Sequence, residues 1–211
     1  MLKIKASHIT NLTDARYFAA KEVEWLSFNF TEGATSYIDP MKAQAIIDWV
    51  TVPNIVGEFD RLSADAINFY TDGWGLQVVQ VGFFAPISTV KAIKNVPIIK
   101  EIWIEEFTNP DFLREELLAF SPYVQAFQVD FTKNNITWAD IKNPSAMLTV
   151  EDLTSICEDF KIILSIDFEN FMLDEIKTLN LYGLNLKGGE EERTGVKSFD
   201  ELDEIFDRVI G

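Results

Sequence analysis

Residues 3–20 read KIKASHITNLTDARYFAA. Lys3-Ile4-Lys5-Ala6-Ser7 alternates in the manner of a strand with one face buried. A polar turn follows, and then a stretch with a helix start signal, in which Asn11 or Thr13 can cap a helix over 13–21. A switch from a period of two to a helical period within one short segment marks a strand–loop–helix unit. The loop of this unit holds Ser7 and His8, and His8 is the single histidine of the chain.

The same unit recurs along the rest of the sequence. Apolar or alternating runs predict strands at 2–6, 25–30, 54–59, 76–81, 98–104, 124–129, 161–166 and 182–187. Between them, helices are predicted at 13–21, 40–50, 64–71, 86–95, 110–119, 150–158, 168–179 and 199–209. Start signals support several of these. Asp39 precedes Pro40 at a first helical position, Ser63 stands before 64, Pro86 opens the fourth helix, and Asn109-Pro110-Asp111 opens the fifth. Thr149 with Asp152 has capping-box spacing, and Ser198 stands before the last helix.

Eight short strands alternating with eight helices call for parallel pairing through right-handed crossovers. The fold expected is an α/β closed (β/α)8 TIM barrel, one small domain over 1–211. An open doubly wound sheet is the alternative, but it normally has a glycine-rich first turn and this chain has none. Residues 130–148 are the least regular and are expected to form a long sixth loop.

Composition narrows the function. The 211 residues carry 18 Lys and Arg against 34 Asp and Glu, a formal charge of −16. That field repels nucleic acid and anionic membrane surfaces, so neither is expected as a partner. With one cysteine, Cys157, and one histidine, the chain has neither a disulfide framework nor a typical zinc ligand set, and no metal or cofactor is expected. No apolar run has the length of a membrane span, and no signal-peptide pattern opens the chain, so a cytoplasmic protein is the simplest reading. The sequence leaves a monomer and a homodimer open.

A barrel places its chemistry at the C-terminal ends of its strands. Ser7 and His8, the segment 29–35, Glu58 and Asp60, Gln80 and Gly82, Glu105 and Glu106, Asp130, Ser165 and Asp167, and Lys187, Gly188 and Gly189 stand there. Phe83, Phe84, Trp103 and Phe107 lie close by and suit either an apolar pocket wall or core packing.

The opening stretch resembles the N-terminus of phosphoribosylanthranilate isomerases, whose pattern runs K-I-C-G-I-T-N and then D-A. SYIDPMKAQAII (36–47), LQVVQVG (76–82), AFQVD (126–130), KIILSIDFENFMLDEI (161–176) and YGLNLKGGEEERTGVKSFDELDEIF (182–206) resemble later segments of that family in the same order. The resemblance implies an Amadori rearrangement of a phosphorylated aminoaldose. In that chemistry a cysteine at the end of strand 1 takes a proton from carbon and an aspartate at the end of strand 6 acts as general acid. An arginine after strand 2 holds the substrate carboxylate, and glycine-rich loops after strands 7 and 8 bind its phosphate.

Carried onto this chain, the cysteine position is Ser7 and the glycine after it is His8. The aspartate is kept as Asp130, the arginine position is Ser36, and the strand-7 glycines fall on Ile166-Asp167. The strand-8 glycines persist as Gly188 and Gly189 beside Lys187, with Gln80 at the end of strand 4. A serine hydroxyl is no base for a carbon acid unless another base activates it. His8 has a suitable pKa class, but as the strand neighbour of Ser7 it faces away from the mouth unless the loop kinks. Lys5, on the face of Ser7, is a candidate partner of Asp130. Asp167 and the run Glu190, Glu191, Glu192 oppose a bound phosphate.

These residues imply a barrel similar to the isomerases with the parental activity lost or altered, binding a small phosphorylated, sugar-like molecule. Two alternatives remain. One is a working isomerase that uses His8 or Ser7 with Asp130. The other is a non-enzymatic protein whose acidic surface meets a partner.

Overall fold

The computed structural model describes residues 2–51, 54–188 and 198–210. Eight parallel strands close on themselves in chain order, β1 to β8. They are β1 (Lys3–Ser7), β2 (Trp25–Asn29), β3 (Asn54–Phe59), β4 (Val78–Val81), β5 (Ile98–Trp103), β6 (Ala126–Asp130), β7 (Ile162–Ser165) and β8 (Gly183–Lys187). The closing pair runs from Lys3 against Gly183 to Ser7 against Lys187. The helices are α1 (Leu12–Ala20), α2 (Pro40–Ile47), α3 (Ala64–Trp74), α4 (Ile87–Ala92), α5 (Pro110–Phe120), α6 (Trp138–Ile141), α7 (Val150–Asp159), α8 (Leu173–Ile176) and α9 (Asp200–Ile210). This is the (β/α)8 barrel expected from the alternation.

The caps read in the sequence are formed. Asn11 Oδ1 accepts the Asp14 amide, Asp39 accepts the Met41 and Lys42 amides, and Ser63 Oγ accepts the Ala66 amide. Thr149 and Asp152 form a reciprocal box at the start of α7. Thr149→Ala is expected to destabilise the protein by about 1 kcal/mol, checked by urea denaturation, because the N3 amide loses its acceptor and Asp152 loses the Thr149 hydroxyl.

Three local expectations are corrected. The helix predicted over 168–179 is reduced to a single 3-10 turn, Asn170–Met172, leading into the four-residue α8. Upstream, Asp167 bridges to Thr137 and its carbonyl accepts the Trp138 amide, which holds the chain extended after β7. Residues 130–148 are more ordered than expected. They contain a 3-10 turn, Thr132–Asn134, and α6, whose box of Thr137 and Asp140 seats the buried Trp138. The described residues therefore hold nine helices rather than eight. Finally, Pro86 is the N-cap of α4 rather than its first residue, and α4 ends early because Ile93 is extended.

Alternation along the strands divides the core. Outward-facing residues pack under the helices, with Phe18, Phe28, Phe59, Phe131 and Phe206 among the buried rings. Inside the barrel, Trp25, Val56, Val78, Ile99, Ala126 and Ile163 form a separate apolar plug at the N-terminal end of the strands. Two residues further along β2 to β7 the inward positions become polar, Ser27, Glu58, Gln80, Glu101, Gln128 and Ser165, and Lys5 of β1 and Asn185 of β8 join them, every one of them buried.

Gly82 ends β4 where a Cβ would meet the Asp60 side chain and lie 2.7 Å from Asp60 Cα, so glycine lets the ends of β3 and β4 approach. Among the described residues no helix is long and apolar enough to cross a membrane.

Candidate functional site

Ser7 ends β1 with its side chain in the barrel, 3% exposed, and its hydroxyl donates to the Leu186 carbonyl at 3.4 Å. His8 follows with a backbone φ of 60°, a left-handed conformation that few non-glycine residues adopt. That is the kink required for His8 to leave the outward course of the strand. Burial lowers its imidazole pKa; Glu58 opposes this, while Lys187, Lys133 and Lys5 add to it. His8 therefore stands in the field of the groups that ring the mouth.

Asp130 ends β6. Its Oδ1 accepts from the Thr132 amide at 2.8 Å, the Thr132 hydroxyl at 2.7 Å and the Lys133 amide at 3.3 Å. Its Oδ2 accepts from Gln128 Nε2 at 3.4 Å. One carboxylate oxygen is thus fully engaged in holding the turn after β6. The expected partnership of Lys5 with Asp130 is not formed. Lys5 Nζ donates instead to Glu58 Oε1 at 2.6 Å and to Asn185 Oδ1 at 3.4 Å, because Glu58 and Asn185 occupy the same inner layer of the barrel while Asp130 sits one layer higher. Burial alone would raise the Glu58 pKa, but the Lys5 ammonium, with His8 and Lys133 further off, brings it below the ordinary value.

Ser36 is buried and accepts from Asn29 Nδ2 at 3.0 Å. Lys187 Nζ donates to Thr132 Oγ1 at 2.9 Å, so it lies across from Asp130. The Gly188 amide donates to the Ser7 carbonyl at 3.3 Å. Gly189 and the glutamates 190–192 lie outside the described residues. Glu105 and Glu106 line a separate groove beside the loop holding α6.

The mouth opens into a cavity of about 330 Å³ over β2 to β5. Glu32, Glu58, Asp60 and Glu101 supply its carboxylates, Arg61 and Lys133 its cations, and Gln80 and Trp103 part of its wall. Of the expected aromatics, Trp103 stacks on Phe83 and meets Phe84 edge-on, whereas Phe107 is exposed.

Glu101 is the residue the sequence reading missed. It is 7% exposed, and its Oε1 accepts from the same Gln128 amide that reaches Asp130, at 3.4 Å. Burial, together with the nearby Asp130 and Glu58 carboxylates and against Lys133, pushes its pKa up to about 7. The signal was present as an acidic residue inside the apolar run IIKEIWI. Lys100 beside it faces outward, donating to the Gly82 and Phe83 carbonyls, each at 2.8 Å, and desolvation lowers its pKa to about 8.

No family model matches the chain. Among curated proteins, it is 24% identical over 210 residues to the N-(5'-phosphoribosyl)anthranilate isomerase of Sulfurovum sp. (strain NBC37-1), covering 97% of each. It is 27% identical over 210 residues to the enzyme of the same name from Chlorobium phaeobacteroides, covering 96% of this chain and 94% of the relative. Among solved structures, the phosphoribosyl anthranilate isomerase of Thermus thermophilus superposes with a TM-score of 0.77 at 25% identity, over 99% of this chain and 98% of that one. A structure of such an isomerase in complex with reduced 1-(o-carboxyphenylamino)-1-deoxyribulose 5-phosphate gives the same TM-score at 20% identity, over the full length of both.

Proposed function

We propose that this chain, a member of the phosphoribosylanthranilate isomerase family, binds a small phosphorylated, sugar-like molecule at the mouth of its barrel and has lost or altered the isomerase activity of its relatives. The observation that carries this reading is Ser7. By the resemblance it takes the position of the base, its hydroxyl donates to the Leu186 carbonyl, and among the described residues it makes no hydrogen bond to a group able to activate it. The other substitutions agree. Ser36 offers no charge to a substrate carboxylate, and Glu32, Glu58 and Asp60 make the cavity over β2 to β5 acidic. Lys187 and Lys133 keep a cationic side that suits a phosphate.

The test is turnover of phosphoribosylanthranilate by the purified protein, followed by the loss of substrate fluorescence. The expected result is a rate no higher than that of Asp130→Asn, which serves as the control for contaminating enzyme. Turnover in the parent that disappears in Asp130→Asn would overturn the reading in favour of a working isomerase. A further loss in His8→Ala would then identify the base, a role for which the kink at His8 qualifies it.

A further inference from the structure

The cavity over β2 to β5 has carboxylates that its cations do not fully answer. Glu58 is met by Lys5, and Asp60 lies 3.4 Å from the largely exposed Arg61. Glu101 has no ion-pair partner within 4.0 Å among the described residues, although it is buried, and its side-chain contacts are with the neutral Gln128 amide and the Trp103 side chain. Beside it on β4, Gln80 is 3% exposed, and its buried Oε1 accepts no hydrogen bond from the described residues. An acidic wall alone is commonplace. Gln80 Oε1 lacks a donor and Glu101 lacks a cation in the wall of the same cavity, and one hydrogen-bond donor that carries positive charge would answer both.

We propose that the β4–β5 side of the mouth is a subsite for an aliphatic ammonium group, held by the Glu101 carboxylate and the Gln80 side-chain carbonyl, so that the preferred ligand is a small phosphorylated sugar bearing an amine. The phosphate end rests on the reading given above; the amine subsite does not. An ammonium carries three donors and can satisfy both groups at once. Register pairs Gln80 with Ile99, which places Glu101 one inward step further up the neighbouring strand. Trp103, stacked on Phe83, adds an aromatic face at the same wall.

Glu101 is also faced by Asp130 and Glu58, which disfavour its ionisation, and by Lys133, which favours it. An incoming ammonium shifts this balance toward the carboxylate, so binding near pH 7 releases a proton. The same wall turns away an anthranilate-type carboxylate, so one feature serves both to admit an amine and to reject the relatives' substrate.

The experiment is calorimetric titration of the intact chain at pH 7 with glucosamine 6-phosphate, glucose 6-phosphate and unphosphorylated glucosamine, in two buffers of different ionisation enthalpy. Glucosamine 6-phosphate is expected to bind at least about tenfold more tightly than glucose 6-phosphate, with proton release. Glu101→Gln should abolish both the preference and the proton release. Gln80→Leu, which leaves the charge in place, should reduce the preference for glucosamine 6-phosphate. Equal binding of the two sugar phosphates, unchanged in Glu101→Gln, would overturn the amine subsite and leave the phosphate reading standing. Glucosamine binding that depends on Glu101, with no binding of glucose 6-phosphate, would keep the subsite and end the phosphate reading. Failure of both amines to bind at millimolar concentration would overturn the proposal.

Discussion

Lys5→Met is expected to destabilise the fold by about 3–5 kcal/mol, the range for breaking one side of a buried ion pair. Lys5 is fully buried, and its ammonium lies 2.6 Å from Glu58 Oε1. Methionine fills much of the same volume, so packing survives and the loss is electrostatic. Without the ammonium, Glu58 remains inside the barrel with Lys133 and His8 as more distant positive influences. Burial then dominates, and its folded-state pKa rises above the unfolded one. A carboxyl shifted in that direction loses stability as pH rises, so the variant should be most damaged near pH 8 and least near pH 4. Adding Glu58→Gln should restore a substantial part. Urea denaturation of the single and double variants at both pH values checks this. A loss below about 1 kcal/mol in the single variant would be the value of an exposed pair and would contradict the burial.

The second large effect has the opposite sign. Glu101→Gln is expected to stabilise the free protein at pH 8 by about 3 kcal/mol and to change little at pH 4. In the folded chain the Glu101 pKa is pushed from its ordinary 4.5 up to about 7. Each pH unit between those values is worth about 1.4 kcal/mol. The native state keeps the proton that the unfolded chain has already released, so stability is fully present below pH 4.5 and is lost as pH rises through 7. Glutamine keeps the shape and removes the ionisation. Denaturation midpoints across pH 4 to 8 read the difference directly, and parallel curves for the two proteins would show that Glu101 titrates normally. A residue that costs stability at working pH and lines a cavity is one whose retention calls for a use beyond folding.

Much of the architecture was legible because strand–helix alternation and capping chemistry are local. Asn54–Phe59 is a strand over the residues expected, and Asn11, Ser63 and Thr149 cap as their side chains predict. The segment 168–179 was misread because the residue that precedes it, Asp167, is held extended by a pairing to Thr137, which lies far away in sequence. The site was less legible for a related reason. Ser7, Asp130 and Lys187 could be placed at strand ends by counting. Which of Lys100 and Glu101 enters the barrel depends on a register shared by all the strands, and IIKEIWI reads as apolar on both faces. Assigning Lys5 to Asp130 failed similarly, since a strand face names the candidates for a partner but not the layer in which they meet.

The closure of β8 onto β1 also bears on how the protein is made. Lys5 meets Asn185 across a separation of 180 residues, and the last strand completes the sheet begun by the first. During synthesis at about 5–20 residues per second, β1 therefore emerges many seconds before its closing neighbour exists. Throughout that interval Ile4 and Ala6 lack one side of their pairing, and Lys5 lacks one of its acceptors. The nascent chain has an open sheet edge for most of its translation, a stage at which a holding chaperone has something to bind and at which slow decoding before residue 183 prolongs the exposure.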